Sequence, residues 1–484
     1  MNNKVQLITY VDRLGCENIN GLDLLLQNQL KGLFGGVHLL PFFYPIDGED
    51  AGFDPIDHKQ IDERLGNWND LKELSGSVDV MADLIVNHMS AKSSEFQDFL
   101  KHGEDSEYAE LFLTFDKVFP KGATEQDLLA IYRPRPGYPF SKMKMANGEE
   151  RIIWTTFTTN QIDIDVYSSK GVAYLDGILN EFQNAGVNMI RLDAAGYAIK
   201  KAGTSSFMID ETFAFIDELT IKAKNLGIAV LVEIHSFYKT QIEIAKKVDF
   251  VYDFALPVLV LDTLFNANAQ NLKNWLEISP RNAITVLDTH DGIGIIDVAS
   301  ENGEKGLIDD NTLDDIVERM HTNSGNTSRK ATGAAASNLD LYQVNCTYFE
   351  ALGKDQRAYF AARAIQFFVP GIPQVYYVGL FSGENDMELL TKTNVGRDIN
   401  RHYYDIQEID AHIKTPFFKK FEKLMRLRNS HVAFNGAFNI LPTEPTILNI
   451  RWEKDNDWVA LYIDLTTLDL KITYTEGQKE VELL

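Results

Sequence analysis

Three acidic residues stand where a reaction could use them. Asp193 in "NMIRLDAAGYAIK" (188–200), Glu233 in "LVEIH" (231–235) and Asp291 in "VLDTHD" (286–291) each close a short apolar run. Each has a cation or an imidazole beside it: Arg191 by Asp193, His235 by Glu233, His290 by Asp291. His88 ends a fourth run, "DLIVNH" (83–88). Buried charge is costly unless it is paired. A salt bridge would explain Arg191 and Asp193 taken alone, but several runs ending this way point to one shared site. The chemistry that fits is glycosidic transfer. One carboxylate attacks the anomeric carbon and a second carboxyl protonates the leaving oxygen; in a retaining enzyme the two lie roughly 5–5.5 Å apart. Asp193, beside Arg191, is expected to stay ionised as the nucleophile, since a neighbouring cation favours the charged form. Glu233, among apolar residues, is expected to hold a raised pKa and serve as acid, then base. Asp291 would stabilise positive charge developing on the sugar ring.

These residues need elements that bring them together. Candidate strands are "VQLITY" (5–10), "GVHLLP" (36–41), "DVMADLIVNH" (79–88), "VNMIRLDA" (187–194), "AVLVEIH" (229–235), "DFVYDFAL" (249–256), "AITVLDTHD" (283–291) and "IPQVYYVG" (372–379). They are continuously apolar rather than alternating, as strands covered on both faces are. Between them lie helical patterns such as 171–186 and 211–227, each apolar at every third or fourth position and each ending in Gly. Eight strand–helix units imply an α/β fold, a (β/α)8 TIM barrel whose strand C-termini converge on one pocket. Long polar stretches after the third strand ("YRPRPGYPF" falls there) and after the seventh would lie over that face. From about Gly436, "ILNIRWEK", "WVALYIDL" and "LKITYT" read as a small all-β domain. The expected division is a barrel of 1–85, 167–291 and 356–435, inserted domains at 86–166 and 292–355 (the latter loop-rich), and a β domain at 436–484.

Composition narrows the partners. With 484 residues, 45% of them apolar, the chain is long enough for a large packed core. A formal charge of −24 disfavours nucleic acid, because no basic surface is available to displace counterions. Any anionic substrate must then be met by local cations. Cys16 and Cys346 are isolated, which suits a reducing compartment and core packing rather than a disulfide or zinc. The opening "MNNKVQLITYVDRLG" has no signal-peptide pattern, and the most apolar run, "AIQFFVPGIPQVYYVGLF", is broken by prolines and falls short of a membrane span. A cytoplasmic protein without a membrane association is expected.

The four runs around His88, Arg191 and Asp193, Glu233 and Asp291 together resemble the signature regions of the α-amylase family of glycoside hydrolases and transglucosylases, and "PGIPQVYYVG" (370–379) resembles its eighth strand. The resemblance implies Asp193 as nucleophile, Glu233 as acid/base and Asp291 as transition-state stabiliser. "DGEDAGFDPIDH" (47–58), "YRPRPG" (132–137), "ASNLDLYQVN" (336–345) and "GRDINRHYY" (396–404) narrow the likeness to that family's bacterial phosphorylases of sucrose. What this implies is reversible glucosyl transfer from sucrose to inorganic phosphate, giving glucose 1-phosphate and fructose, by a homodimer without a cofactor. By the same resemblance Asp50, His88, Arg191, His290 and Arg397 would grip the donor glucose between Phe53 and Phe157. Arg135, Tyr197, His235, Leu339, Asp340, Tyr342 and Gln343 would line the site that holds fructose and then phosphate. Arg135 offers the planar fork that phosphate prefers. One loop arrangement is expected to present Asp340 to fructose and another to bring Arg135 to phosphate.

The sequence departs from the family in places. Many α-amylases carry a Lys-His pair after the nucleophile; here the stretch is "AAGYAIK", which favours a closed pocket for one glucose over a polysaccharide groove. Asn87 matches a calcium-ligand position, but partner carboxylates in the second domain are not evident, so no metal is expected. Taken singly, Arg135 reads as a surface loop residue, His235 as a core histidine, Asp50 as a turn residue, and Arg397 or Arg401 as a partner for Asp398. Competing activities are a phosphorylase of sucrose 6′-phosphate, glucosylglycerol or glucosylglycerate, an α-glucoside hydrolase, and a catalytically inert barrel acting as a binding subunit.

Overall fold

A computed structural model describes residues 2–135, 137–301, 303–332, 343–477 and 479–483. Eight parallel strands close a barrel: β1 (Gln6–Thr9), β2 (Gly36–Leu39), β3 (Asp79–Ile85), β4 (Met189–Asp193), β5 (Ala229–Val232), β6 (Phe250–Asp253), β7 (Ala283–Thr285) and β8 (Ile372–Tyr376), with β8 returning to pair with β1. All eight sit inside the runs read from sequence. Each run overshoots at its C-terminal end, and in the third, fourth, fifth and seventh the last residues line the pocket. The strands are apolar on both faces for a physical reason. Alternate residues such as Ile190 and Leu192 pack outward into the main core, while Met81, Met189, Leu231, Tyr252, Ile284 and Ile372 fill the barrel's interior.

The outer layer is set by amphipathic helices. In α1 (Ser169–Asn184) the Ser168 hydroxyl accepts from the Gly171 amide, and Leu175, Ile178, Leu179 and Phe182 form the buried stripe. Burying each such side chain stabilises the fold by about 1.5–3 kcal/mol. Between β3 and α1, the strand His88–Ser90 pairs antiparallel with Gln161–Asp163, and a hairpin joins Phe140–Lys144 to Glu150–Trp154. This stretch has a satellite core of Leu113, Phe119, Ile131 and Trp154. Between β7 and β8 the stretch expected to be loop-rich carries a helix, Asp310–Asn323, with Leu313, Ile316 and Met320 buried. At the C-terminus five antiparallel strands form one sheet, β9 (Ala437–Ile440) to β13 (Lys479–Glu482) in chain order, and Trp452 donates its indole hydrogen to the Phe368 carbonyl (2.6 Å), which ties the sheet to the barrel's helical layer. Among the described residues no helix is long and apolar enough to cross a membrane.

Candidate active site

Strand geometry answers why Arg191 and Asp193 stand two residues apart. Side chains alternate along a strand, so Met189, Arg191 and Asp193 share the inward face of β4. Register places Arg191 opposite Asp83 on β3 and Leu231 on β5. Arg191 is 2% exposed, and its guanidinium is shared. Nη1 donates to Asp83 and to Asp193 (3.1 Å), and Nη2 pairs with Glu233 (2.7 Å) and lies 4.0 Å from Asp291. Directly after the strand, Ala194 takes a left-handed backbone (φ 54°) that turns the chain across the pocket floor. That conformation costs a residue with a side chain about 1–2 kcal/mol.

Asp291 reaches the same point from β7 through a braced loop. Asp288, three residues earlier, is held by Arg363 at 2.8 and 2.9 Å, both groups being buried. Asn400 donates to the Thr289 carbonyl (3.0 Å) and Arg401 to the His290 carbonyl (2.9 Å). His290 stacks on Phe53 with 4.9 Å between ring centroids, and Arg397 pairs with Asp291 at 2.8 Å.

One pocket collects most of the residues singled out from sequence: Asp50, Phe53, His88, Arg135, Phe157, Asp193, Tyr197, Glu233, His235, His290, Asp291, Gln343 and Arg397 all line it. Arg191 lies beneath its wall. Leu339, Asp340 and Tyr342 fall outside the described residues, so the expected loop rearrangement around Asp340 has no structural counterpart here. His88 sits against the Phe53 carbonyl (2.9 Å) with Phe157 edge-on at 5.5 Å. Arg135 is not a surface loop residue: its guanidinium lies 3.6 Å from Asp50 and 5.8 Å from the centre of the Phe157 ring. Gln343 accepts from the Gly292 amide (3.0 Å). Asp50 itself has a left-handed backbone (φ 51°) and meets Arg397 at 3.5 Å and Arg401 at 3.6 Å.

Electrostatics depart from the sequence reading at one place. Arg191 does not keep Asp193 ionised on its own. Burial pushes the Asp193 carboxyl well above the usual carboxylate range; Arg191 opposes this, and the charges of Glu233, Asp83 and Asp291 add to the rise. One guanidinium divided among three carboxyls cannot neutralise them all. Asp50 and Asp291 differ. Burial opposes their charge too, but Arg397 and Arg401 hold Asp50 down to about 2, with Arg135 assisting, and Arg397 above all, helped by His290, Arg191 and Arg401, holds Asp291 well below the usual range. Burial drives His290 down to about 3, so it faces the pocket as a neutral ring.

Several neighbours were not legible in the sequence. Tyr132, Gln161 and Phe207 also line the pocket, and Asp297 stands behind His235. Lys200 is 1% exposed at its side chain; its ammonium donates to Asn87 (2.7 Å) and to the Tyr197 carbonyl, and pairs with Asp163 (2.8 Å). Asp163, from the stretch after β3, is the carboxylate that sequence reading did not find beside Asn87. In this structure these oxygens surround the Lys200 ammonium. Lys200→Met is expected to strand Asp163 as an uncompensated buried charge. Calorimetry should show a lower Tm, reflecting about 3–5 kcal/mol, and steady-state assays a reduced kcat as Tyr197 loses its anchor.

Comparison with known proteins places this arrangement. Residues 28–377 match the model of the α-amylase catalytic domain. The chain is 59% identical over 474 residues to a sucrose phosphorylase of Agrobacterium vitis, covering 98% of this chain and 97% of the relative. It is 52% identical over 464 residues to a sucrose phosphorylase of Bifidobacterium adolescentis, covering 95% and 92%. The crystal structure of sucrose 6F-phosphate phosphorylase from Thermoanaerobacter thermosaccharolyticum superposes with a TM-score of 0.91 at 41% identity, covering 100% of this chain and 97% of that one. With the barrel, the braced carboxyls and these likenesses in hand, the chain belongs to the α-amylase family, in its sucrose phosphorylase branch.

Proposed function

We propose that the protein is a sucrose phosphorylase that works by retaining double displacement. The activity named for its bacterial relatives is carried to this chain by one observation: Asp193, Glu233 and Asp291 share a single pocket with Arg135 and His235. The first three suit glucosyl transfer, and the last two suit an anionic acceptor. One guanidinium touching both Asp193 and Glu233 is consistent with the close carboxyl spacing of retaining enzymes.

On this reading the donor glucose lies between Phe53 and Phe157, held by Asp50, His88, Arg191, His290 and Arg397. The proton of the Asp193–Glu233 pair resides on Glu233 when sucrose is bound. Asp193 attacks the anomeric carbon as Glu233 protonates the departing fructosyl oxygen, while Asp291 stabilises the developing positive charge. Fructose leaves and a β-glucosyl ester on Asp193 remains. Phosphate then enters the half of the pocket that fructose has left, lined by Tyr197, Leu339, Asp340, Tyr342 and Gln343, and is met there by Arg135 and His235. Glu233 takes its proton as it attacks, giving α-glucose 1-phosphate with retention. The enzyme is a cytoplasmic homodimer without a cofactor, divided into barrel, inserts at 86–166 and 292–355, and the C-terminal β domain.

The test is incubation with sucrose, with and without inorganic phosphate, following glucose 1-phosphate, free glucose and fructose. Phosphate-dependent glucose 1-phosphate equal to fructose is expected. Fructose matched by free glucose, whatever the phosphate, would make the protein a hydrolase. No turnover of sucrose but turnover of sucrose 6′-phosphate would reassign the donor. Arg135→Ala is expected to lower phosphorolysis by about tenfold or more relative to hydrolysis, since it removes charge-assisted hydrogen bonds to phosphate. Equal loss of both would return Arg135 to a purely structural role.

A further inference from the structure

Asp297 does not itself line the pocket and lies outside every signature run, yet it is fully buried in a short turn, Ile296–Val298, behind the wall. One of its oxygens accepts from the Ser236 amide (3.1 Å) and the Gln241 side chain (2.7 Å). Its other oxygen accepts from Nδ1 of His235 at 3.0 Å. The His235 ring is clamped on its flat side by Phe254, with 3.9 Å between centroids and 15° between planes. Nε2 is the nitrogen on the pocket side of the ring, 3.5 Å from the Gln343 side-chain nitrogen, which is itself a donor and so does not take up a proton carried there.

The surrounding backbone makes room for this pair. A Cβ on Gly294 would lie 2.7 Å from Oδ2 of Asp297 and 2.9 Å from Nδ1 of His235. Gly294 does not have the positive φ that would itself call for glycine. What requires glycine there is the close approach of carboxylate and imidazole.

Resting on the phosphorylase reading, we infer that Asp297 is a positioning residue for phosphate: it holds His235 as an imidazolium, with the Nε2 hydrogen directed into the acceptor half of the pocket. Among the described residues, the charged groups that face His235 are Asp297 and Asp291 from the segment after β7 and Glu233 from its own segment, and Gln343 and Phe254 pack beside the ring. Burial alone would discharge the ring, but Asp297, ahead of Glu233 and Asp291, prevails and raises its pKa. The need is electrostatic. Phosphate approaches a protein of net charge −24 and a pocket lined by four carboxyl groups, Asp50, Asp193, Glu233 and Asp291. A fixed cationic donor beside the glucosyl ester offsets that field for phosphate and does little for water.

The experiment compares parent, Asp297→Asn, Gly294→Ala, His235→Gln and the Asp297→Asn/His235→Gln double variant on sucrose, from about pH 5 to 8. The readouts are the KM for phosphate and the ratio of glucose 1-phosphate to free glucose. Asp297→Asn is expected to raise the phosphate KM about tenfold or more and to lower the ratio in step. The sign with pH follows from linkage: without Asp297 the imidazolium is lost at a lower pH, so phosphate use fails earlier as pH rises. Gly294→Ala keeps both side chains and should move the ratio in the same direction, which tests the idea even if Asp297→Asn folds poorly. In the His235→Gln background the Asp297 change should add almost nothing. If Asp297→Asn and Gly294→Ala lower both products alike, with the ratio and phosphate KM unmoved, Asp297 is structural and the inference falls alone. If the parent makes no glucose 1-phosphate, the functional reading falls and takes the inference with it.

Discussion

Asp193→Asn is expected to lose glucosyl transfer almost completely, by on the order of a hundred thousand-fold in kcat/KM, because an amide cannot form the ester on which both half-reactions depend. The same change should not weaken the fold. The carboxyl of Asp193 titrates above its ordinary range in the native protein. The native state therefore binds more protons than the unfolded chain between the ordinary and the raised pKa, and stability falls as pH rises through that window. Above it the Asp193 charge costs stability in full. Asparagine removes the cost, so at neutral pH the inactive variant should melt at or above the temperature of the parent. Steady-state assays and calorimetry on one preparation check both halves. A dead variant that also melts several degrees lower would mean that Asp193 is held in place for structure, and that the crowding around Arg191 is misread.

Glu233→Gln should show a loss that depends on the donor. With sucrose, whose leaving group needs a proton, kcat is expected to fall by about 100- to 10,000-fold. With α-glucosyl fluoride, whose leaving group departs without one, formation of the glucosyl ester should stay close to that of the parent. The variant should also shift the acidic limb of its pH profile. Glu233 is one of the charges that raise Asp193; once it is neutral, Asp193 ionises at lower pH and the limb of kcat/KM for the fluoride moves down. An equal loss on both donors would remove the acid role from Glu233. An unmoved limb would mean the two carboxyls are not coupled as their common contact with Arg191 implies.

Much of this was legible because barrel physics writes itself into sequence. Strands covered on both faces must be continuously apolar, and so Arg191 and Asp193 stood out at the end of β4. Glu233 and Asp291 stood out likewise after β5 and β7. The residues that escaped notice act across sequence separation without any local pattern. Asp297 lies 62 residues from His235, and Lys200 meets Asn87 across 113. Nothing near either one sets it apart from a solvated charge. The raised pKa of Asp193 escaped for a different reason. Its nearest cation is two residues away in sequence, but the competing claims of Asp83 and Glu233 on that cation exist only after β3, β4 and β5 come together.

The division of labour around the pocket also has a consequence for change over time. The three carboxyls come from the end of β4 and the segments just after β5 and β7, tied through Arg191, whereas Arg135 and Gln343 reach the pocket from stretches outside the eight-strand frame. Amino-acid variation in those outer stretches can alter which nucleophile resolves the intermediate without disturbing the machinery that creates it. On the proposed reading, a combinatorial library confined to residues near 132–143 and 336–345, with Arg135 kept for its contact with Asp50, is expected to change the acceptor more than the glucosyl-transfer machinery.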